Sequence, residues 1–130
     1  MNQHFVIPVS PGELIDKITI LEIKKEFIKD SNKLKNVKLE YNLLTNILKD
    51  KITDSSNLQM LRQQLKEINM ELWHIEDEIR ELEKNKLFNT EFITLARSVY
   101  FTNDKRSKIK KKINELLNSD IIEEKSYSDY

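Results

Sequence analysis

Cysteine is absent from the chain, which excludes disulfides and thiolate metal sites. A single glycine and two prolines leave almost no material for a tightly turned sheet or a phosphate-cradling loop. Charge of one sign is missing too. Lys and Arg number 22 against 22 Asp and Glu, whereas a nucleic-acid footprint needs a basic excess. No apolar run approaches the roughly 18 residues of a membrane-spanning helix, and no signal-peptide core opens the sequence. The expectation is a cytoplasmic protein with neither a membrane nor a nucleic-acid partner.

What is present is helical. With 38% hydrophobic and 34% charged residues, the composition suits long amphipathic helices, each showing only a stripe to the core. Leu58, Leu61, Leu65, Ile68, Leu72, Ile75, Ile79 and Leu82 alternate by three and four without a break. That is an a/d seam of coiled-coil type, on a helix roughly 37 Å long at 1.5 Å per residue. The rest of the chain is expected to pack along it.

Around this seam the chain reads as one all-α domain over residues 1–130. Its architecture is an antiparallel bundle of about four helices with short terminal arms. Residues 1–10 form an arm or a short edge strand, interrupted by Pro8. Ser10, Pro11 and Glu13 then spell a capping box, with Val9 and Leu14 placed for a hydrophobic staple. The first helix has two apolar stripes, one through Leu14, Ile18, Leu21 and Ile28 and one through Ile20, Ile23 and Phe27. Such a helix is central in a bundle or part of a dimer interface. Asp30-Ser31-Asn32 marks a break near Lys29, and a second helix follows to Lys51. Thr53 to Ser56 is a loop rich in capping side chains, and the long helix runs from there to Lys84. Asn89 or Thr90 caps the last helix, which reaches Asn118. The tail, residues 119–130, lies across the bundle or pairs with the first arm, and its last four residues look disordered.

Several polar residues break the pattern. Asn103 and Arg106 interrupt the apolar stripe of the last helix, which runs through Phe92, Leu95, Ala96, Val99, Ile109, Ile113 and Leu117. Asp16 sits on the Ile20/Ile23/Phe27 stripe of the first. Burying Arg or Asp is costly unless the group is paired. The two readings are an internal Arg106–Asp16 pair that fixes register and a polar pocket in which Arg106 meets an anionic ligand. Trp73 lies on a second stripe of the long helix with Met70, Asp77 and Arg80, beside Glu76. It is either part of a contact surface or packed under another helix or the tail. Arg97, Tyr100 and Asp104 share an off-core face of the last helix. They are expected either to join the Trp73 stripe in one cluster or to form a solvated charged face.

Other chemistries find little support. His4 and His74 lie in no ligand motif. Asp77-Glu78 followed by Glu81 has the spacing of the first acidic motif of all-helical nucleotide pyrophosphatases, but the last helix has no ExxD to complete a magnesium shell. A mutase of the chorismate type needs an Arg that the first helix lacks, and Ser10 and Ser98 have no His at triad spacing. No catalytic residue, metal or cofactor is expected.

Four separated blocks, IPVSPGELIDKITILEIK, LWHIEDEIRELE, FITLARSVYFTNDKRSKIKKKIN and EEKSY, resemble an uncharacterised family of short bacterial and phage proteins, a domain of unknown function. The resemblance covers most of the chain outside residues 30–60. It implies a stand-alone domain with no established catalytic residue. It runs through Asp16, Glu76, Asp77, Arg80, Arg97, Asn103, Asp104 and Arg106, as either a shared site or a shared buried network would.

The leading expectation is a helical interaction module that self-associates as a homodimer and offers the Trp73 surface to a protein partner. Its argument is a surplus of apolar faces, since four helices would bury the long seam but not both stripes of the first helix. The alternative is a small enzyme or ligand-binding protein that holds an anionic molecule with the same polar cluster.

Overall fold

The structure, a computed structural model, describes residues 3–130. Four helices follow in order, α1 (Pro11–Phe27), α2 (Ser31–Lys51), α3 (Ser56–Lys84) and α4 (Thr90–Leu116). Each starts on a side-chain cap. Ser10, Asp30, Ser55 and Asn89 accept the N–H groups of Glu13, Lys33, Leu58 and Phe92, which removes an orphan donor from each first turn. Residues 3–9 carry no helix or strand and are exposed. The first two residues of the expected arm lie outside the described ones.

One half of the expected capping box is different. Ser10 Oγ does accept the Glu13 N–H, at 3.2 Å. The Glu13 carboxylate, however, turns to Lys110 Nζ on α4, 2.7 Å away, because a cross-bundle ammonium outbids a backbone N–H for its charge. Ser10→Ala is therefore expected to lower stability by about 1 kcal/mol. Equal urea midpoints for the variant and the wild type would contradict the cap.

The organising helix is α1, not the longer α3. It packs against α2, α3 and α4, while α3 and α4 pair with each other. Both α1 stripes are covered within the chain. Leu14, Ile15, Ile18, Leu21 and Ile23 are buried, and Ile20, Phe27 and Ile28 are half-buried. The argument for a dimer from surplus α1 faces therefore falls away. α1 runs antiparallel to α2 and α4 and alongside α3, so that Leu14, Ile15 and Ile18 share one core with Leu48, Leu58, Leu61, Leu65 and Ile113.

Length decides the rest. α1 has 17 residues and α3 has 29, or roughly 25 and 44 Å. α1 ends level with Trp73 and His74, against which Phe27 packs at 5.8 and 5.5 Å between ring centroids. Past that point α3 and α4 continue as a two-helix hairpin, in which Ile79, Leu82, Phe92, Leu95 and Val99 are half-buried. Of the seam, Leu58, Leu61, Leu65 and Ile75 are buried, and Ile68, Leu72, Ile79 and Leu82 are half-buried.

Candidate functional site

Where α1 stops, the bundle opens into a cleft of about 510 Å³. Ile20 and Ile23 of α1 and Leu72 and Trp73 of α3 give it an apolar wall. Asn69, Glu76, Asp77 and Arg80 of α3 and Asn103 and Arg106 of α4 supply the polar groups. Six residues singled out from the sequence, namely Trp73, Glu76, Asp77, Arg80, Asn103 and Arg106, thus meet in one place.

Behind this wall lies the expected ion pair. Asp16, only 1% exposed, takes the Arg106 guanidinium on both oxygens, with Nε at 3.0 Å from Oδ1 and Nη2 bonded to Oδ2. The buried carboxylate is further bonded to Asn69 Nδ2 at 2.8 Å and has Lys110 Nζ at 3.8 Å. The hydrogen bond to Asp16 raises the Arg106 pKa above its already high ordinary value, against the pull of burial in the opposite direction. Thr19 closes the network by donating to the Asp16 carbonyl at 2.8 Å and accepting from Asn69 Nδ2 at 2.9 Å.

The pair and the pocket therefore coexist. Arg106 has a side chain 29% exposed and stands in the cleft wall while Asp16 holds it from behind. A fork clamped by a bidentate carboxylate is fixed in orientation. Two of its five N–H bonds go to Asp16, and the others remain to serve the cleft.

The remaining three candidates sit elsewhere. Arg97 lies over the Phe101 ring at 5.7 Å. Tyr100 and Asp104 meet the C-terminal tail. They line a separate groove of about 700 Å³ with Lys125, Tyr127, Ser128, Asp129 and Tyr130. The single cluster with Trp73 does not form, because the tail folds back along α4 and takes this face. Tyr130 packs on Tyr100 and Phe101 at 5.3 and 4.7 Å, and its hydroxyl donates to Asp104 Oδ2.

That bond has a titration consequence. Asp104 as acceptor pushes the Tyr130 phenol up to about 12, from an ordinary value of about 10. With the folded value above the unfolded one, the contact is intact below about pH 10 and is lost as pH rises through about 12. A spectrophotometric titration compared with Tyr130→Phe is expected to show this high-pH step, and Asp104→Asn is expected to bring it back toward about 10. An unchanged step in Asp104→Asn would contradict the contact.

Sequence reasoning missed Asn69, the buried amide that joins α3 to Asp16. Its signal was present. Asn69 follows Leu65 by four, continuing the Leu58, Leu61, Leu65 stripe with a straight-helix period, while the heptad seam moves on to Ile68.

A four-helix protein with a carboxylate-clamped arginine beside an open, Trp-walled cleft is the class that fold and site define. The chain belongs to DUF6165, a family of unknown function, which matches residues 5–130. No curated protein and no solved structure matches it. No helix among the described residues is long and apolar enough to cross a membrane.

Proposed function

We propose that the protein binds a small organic molecule in the cleft at the end of α1. The observation that carries this reading is the Arg106 guanidinium, clamped by Asp16 and lining an open cleft beside Trp73. Ligand pockets pair apolar walls with a few fixed polar groups in roughly 300–1,000 Å³, and about 510 Å³ falls within that range. Pre-orienting Arg106 lowers the ordering cost that a ligand would otherwise meet. An internal pair made only for stability gains nothing from an open face on one partner.

Charge balance refines the ligand. The lining sets the two carboxylates of Glu76 and Asp77 against the two guanidiniums of Arg80 and Arg106, and Asp16 behind it also has Lys110 Nζ at 3.8 Å. Arg80 Nε is held by Glu76 at 3.0 Å, and Arg106 is matched by Asp16. A neutral or zwitterionic molecule meets this wall better than the anion expected from the sequence. A bacterial or phage origin and a cytoplasmic location belong to the same proposal, from the resemblance and the sequence.

The test uses Trp73, the sole tryptophan of the chain. Monosaccharides, amino acids, carboxylates and inorganic phosphate are titrated while its emission and the melting temperature are followed. At least one class is expected to give a saturable change and to raise the melting temperature, as any native-state ligand must. Ile20→Phe, which fills the cleft, is expected to abolish both effects. No response from any class would contradict the reading.

A second reading is favoured by α2. Leu39, Leu43 and Ile47 are exposed at spacings of four, Leu39 by 72%, an apolar stripe that suits a two-fold contact between copies. A clean 15.5 kDa species in light scattering at tens of micromolar would exclude it.

A further inference from the structure

We infer that the ligand of this cleft is a neutral hydroxylated ring, a monosaccharide or a cyclic polyol. The inference rests on the binding reading above and names its ligand class. It starts from Asn69, which is 95% buried by its 5% exposure and lines the cleft. Its Nδ2 donates to Asp16 Oδ1 and Thr19 Oγ1. Only the NH₂ end of an amide can donate to a carboxylate, so chemistry fixes which end is which. The carbonyl oxygen is left with no protein donor among the described residues. Because Asn69 lines the cleft, this oxygen is open there to a donor from outside the chain.

The neighbouring groups limit what that donor belongs to. Asp77, on the cleft rim, is a carboxylate with no hydrogen bond or ion pair to another described residue and can only accept. The Arg106 N–H groups left over from Asp16 can only donate. Asn103 offers both functions. An ammonium ligand would satisfy Asn69 and Asp77 but face the Arg106 fork with nothing to accept from it. A carboxylate would satisfy Arg106 but leave Asn69 without a donor, and a carboxylate or phosphate alike would lie near the Asp77 charge. A hydroxyl both donates and accepts, so a set of hydroxyls on one ring can serve all of these positions.

Ring geometry fits the other wall. Ile20, Leu72 and Trp73 give the cleft apolar lining, on which the C–H groups of a saturated ring can lie while its hydroxyls reach Asn69, Asp77 and Arg106. An aromatic wall is well suited to such groups, since its ring is large, flat and apolar.

The experiment titrates the full-length protein with glucose, mannose, galactose and myo-inositol, following Trp73 emission. Cyclohexanecarboxylate and inorganic phosphate are the comparison probes. At least one hydroxylated ring is expected to bind at least roughly tenfold more tightly than either anion, a factor worth about 1.4 kcal/mol, with little dependence on salt. Asp77→Ala, on the exposed rim, is expected to weaken that binding by roughly tenfold while the variant melts like the wild type. Saturable binding of the anions without the polyols would overturn this inference and leave the broader binding reading standing. Silence of Trp73 toward every probe would overturn this inference, and silence toward amino acids as well would overturn both. Polyol binding that is unchanged in Asp77→Ala would place the sugar elsewhere and also overturn the inference.

Discussion

Replacing Arg106 by leucine is expected to lower the unfolding free energy by about 3 kcal/mol, at the lower end of the range for breaking a buried pair. The loss comes from Asp16, left 99% buried by its 1% exposure without its bidentate partner. Asn69 Nδ2 at 2.8 Å and Lys110 Nζ at 3.8 Å remain with it, which holds the loss to the lower end. Removing both charges in the Arg106→Leu, Asp16→Leu double variant is expected to recover much of the loss, with a coupling of about 2 kcal/mol in the double-mutant cycle. A single variant within about 1 kcal/mol of wild type in urea melts would show that the pair carries little weight. Because Arg106 also stands in the cleft wall, strong destabilisation does not argue against a site. Structure and binding share this side chain.

Gly12→Ala is expected to be comparably damaging. Gly12 meets α4 so closely that a Cβ would lie 2.6 Å from the Lys110 carbonyl oxygen and 2.9 Å from Asn114 Oδ1. The nearer of these is backbone and cannot swing aside. Its N–H also donates to Asn114 Oδ1 at 2.7 Å, a buried bond that a shift of α1 would stretch. Overpacking costs about 1–3 kcal/mol, and an orphaned buried amide adds a similar amount. Against these stands at most about 1 kcal/mol of helix propensity gained. The net expectation is about 3 kcal/mol, or a melting temperature lower by roughly 10 °C. Unchanged or higher melting would show that α1 and α4 are not in this close contact.

Much of the fold was legible because caps and stripes are local. Ser10, Asp30, Ser55 and Asn89 each sit before a periodic apolar segment, and each caps a helix. Asp16 and Arg106 were legible as partners for a different reason. Each breaks an apolar stripe, and a buried charge must find its complement.

What was misread is relational. The unbroken seam of α3 pointed to that helix as the centre, but a heptad stripe says only that some partner exists. Two stripes on one helix are the stronger sign of centrality, and α1 has them. The cleft itself follows from the difference in length between α1 and α3, which no single segment displays. Arg97, Tyr100 and Asp104 were grouped with Trp73 by helical spacing alone. The path of the tail, which brings Tyr130 onto that face, leaves no periodic trace in sequence.

The most direct measurement is a nitrogen–proton NMR titration of the ¹⁵N-labelled protein with the tightest-binding hydroxylated ring, repeated on dilution without ligand. The expected result is a saturable shift of the Trp73 indole N–H, the Asn103 amide and the Arg106 Nε–H, with α2 unmoved. Shifts confined to Leu39, Leu43 and Ile47 on dilution, with Trp73, Asn103 and Arg106 unaffected by ligand, would contradict the binding cleft and give the function to the α2 face.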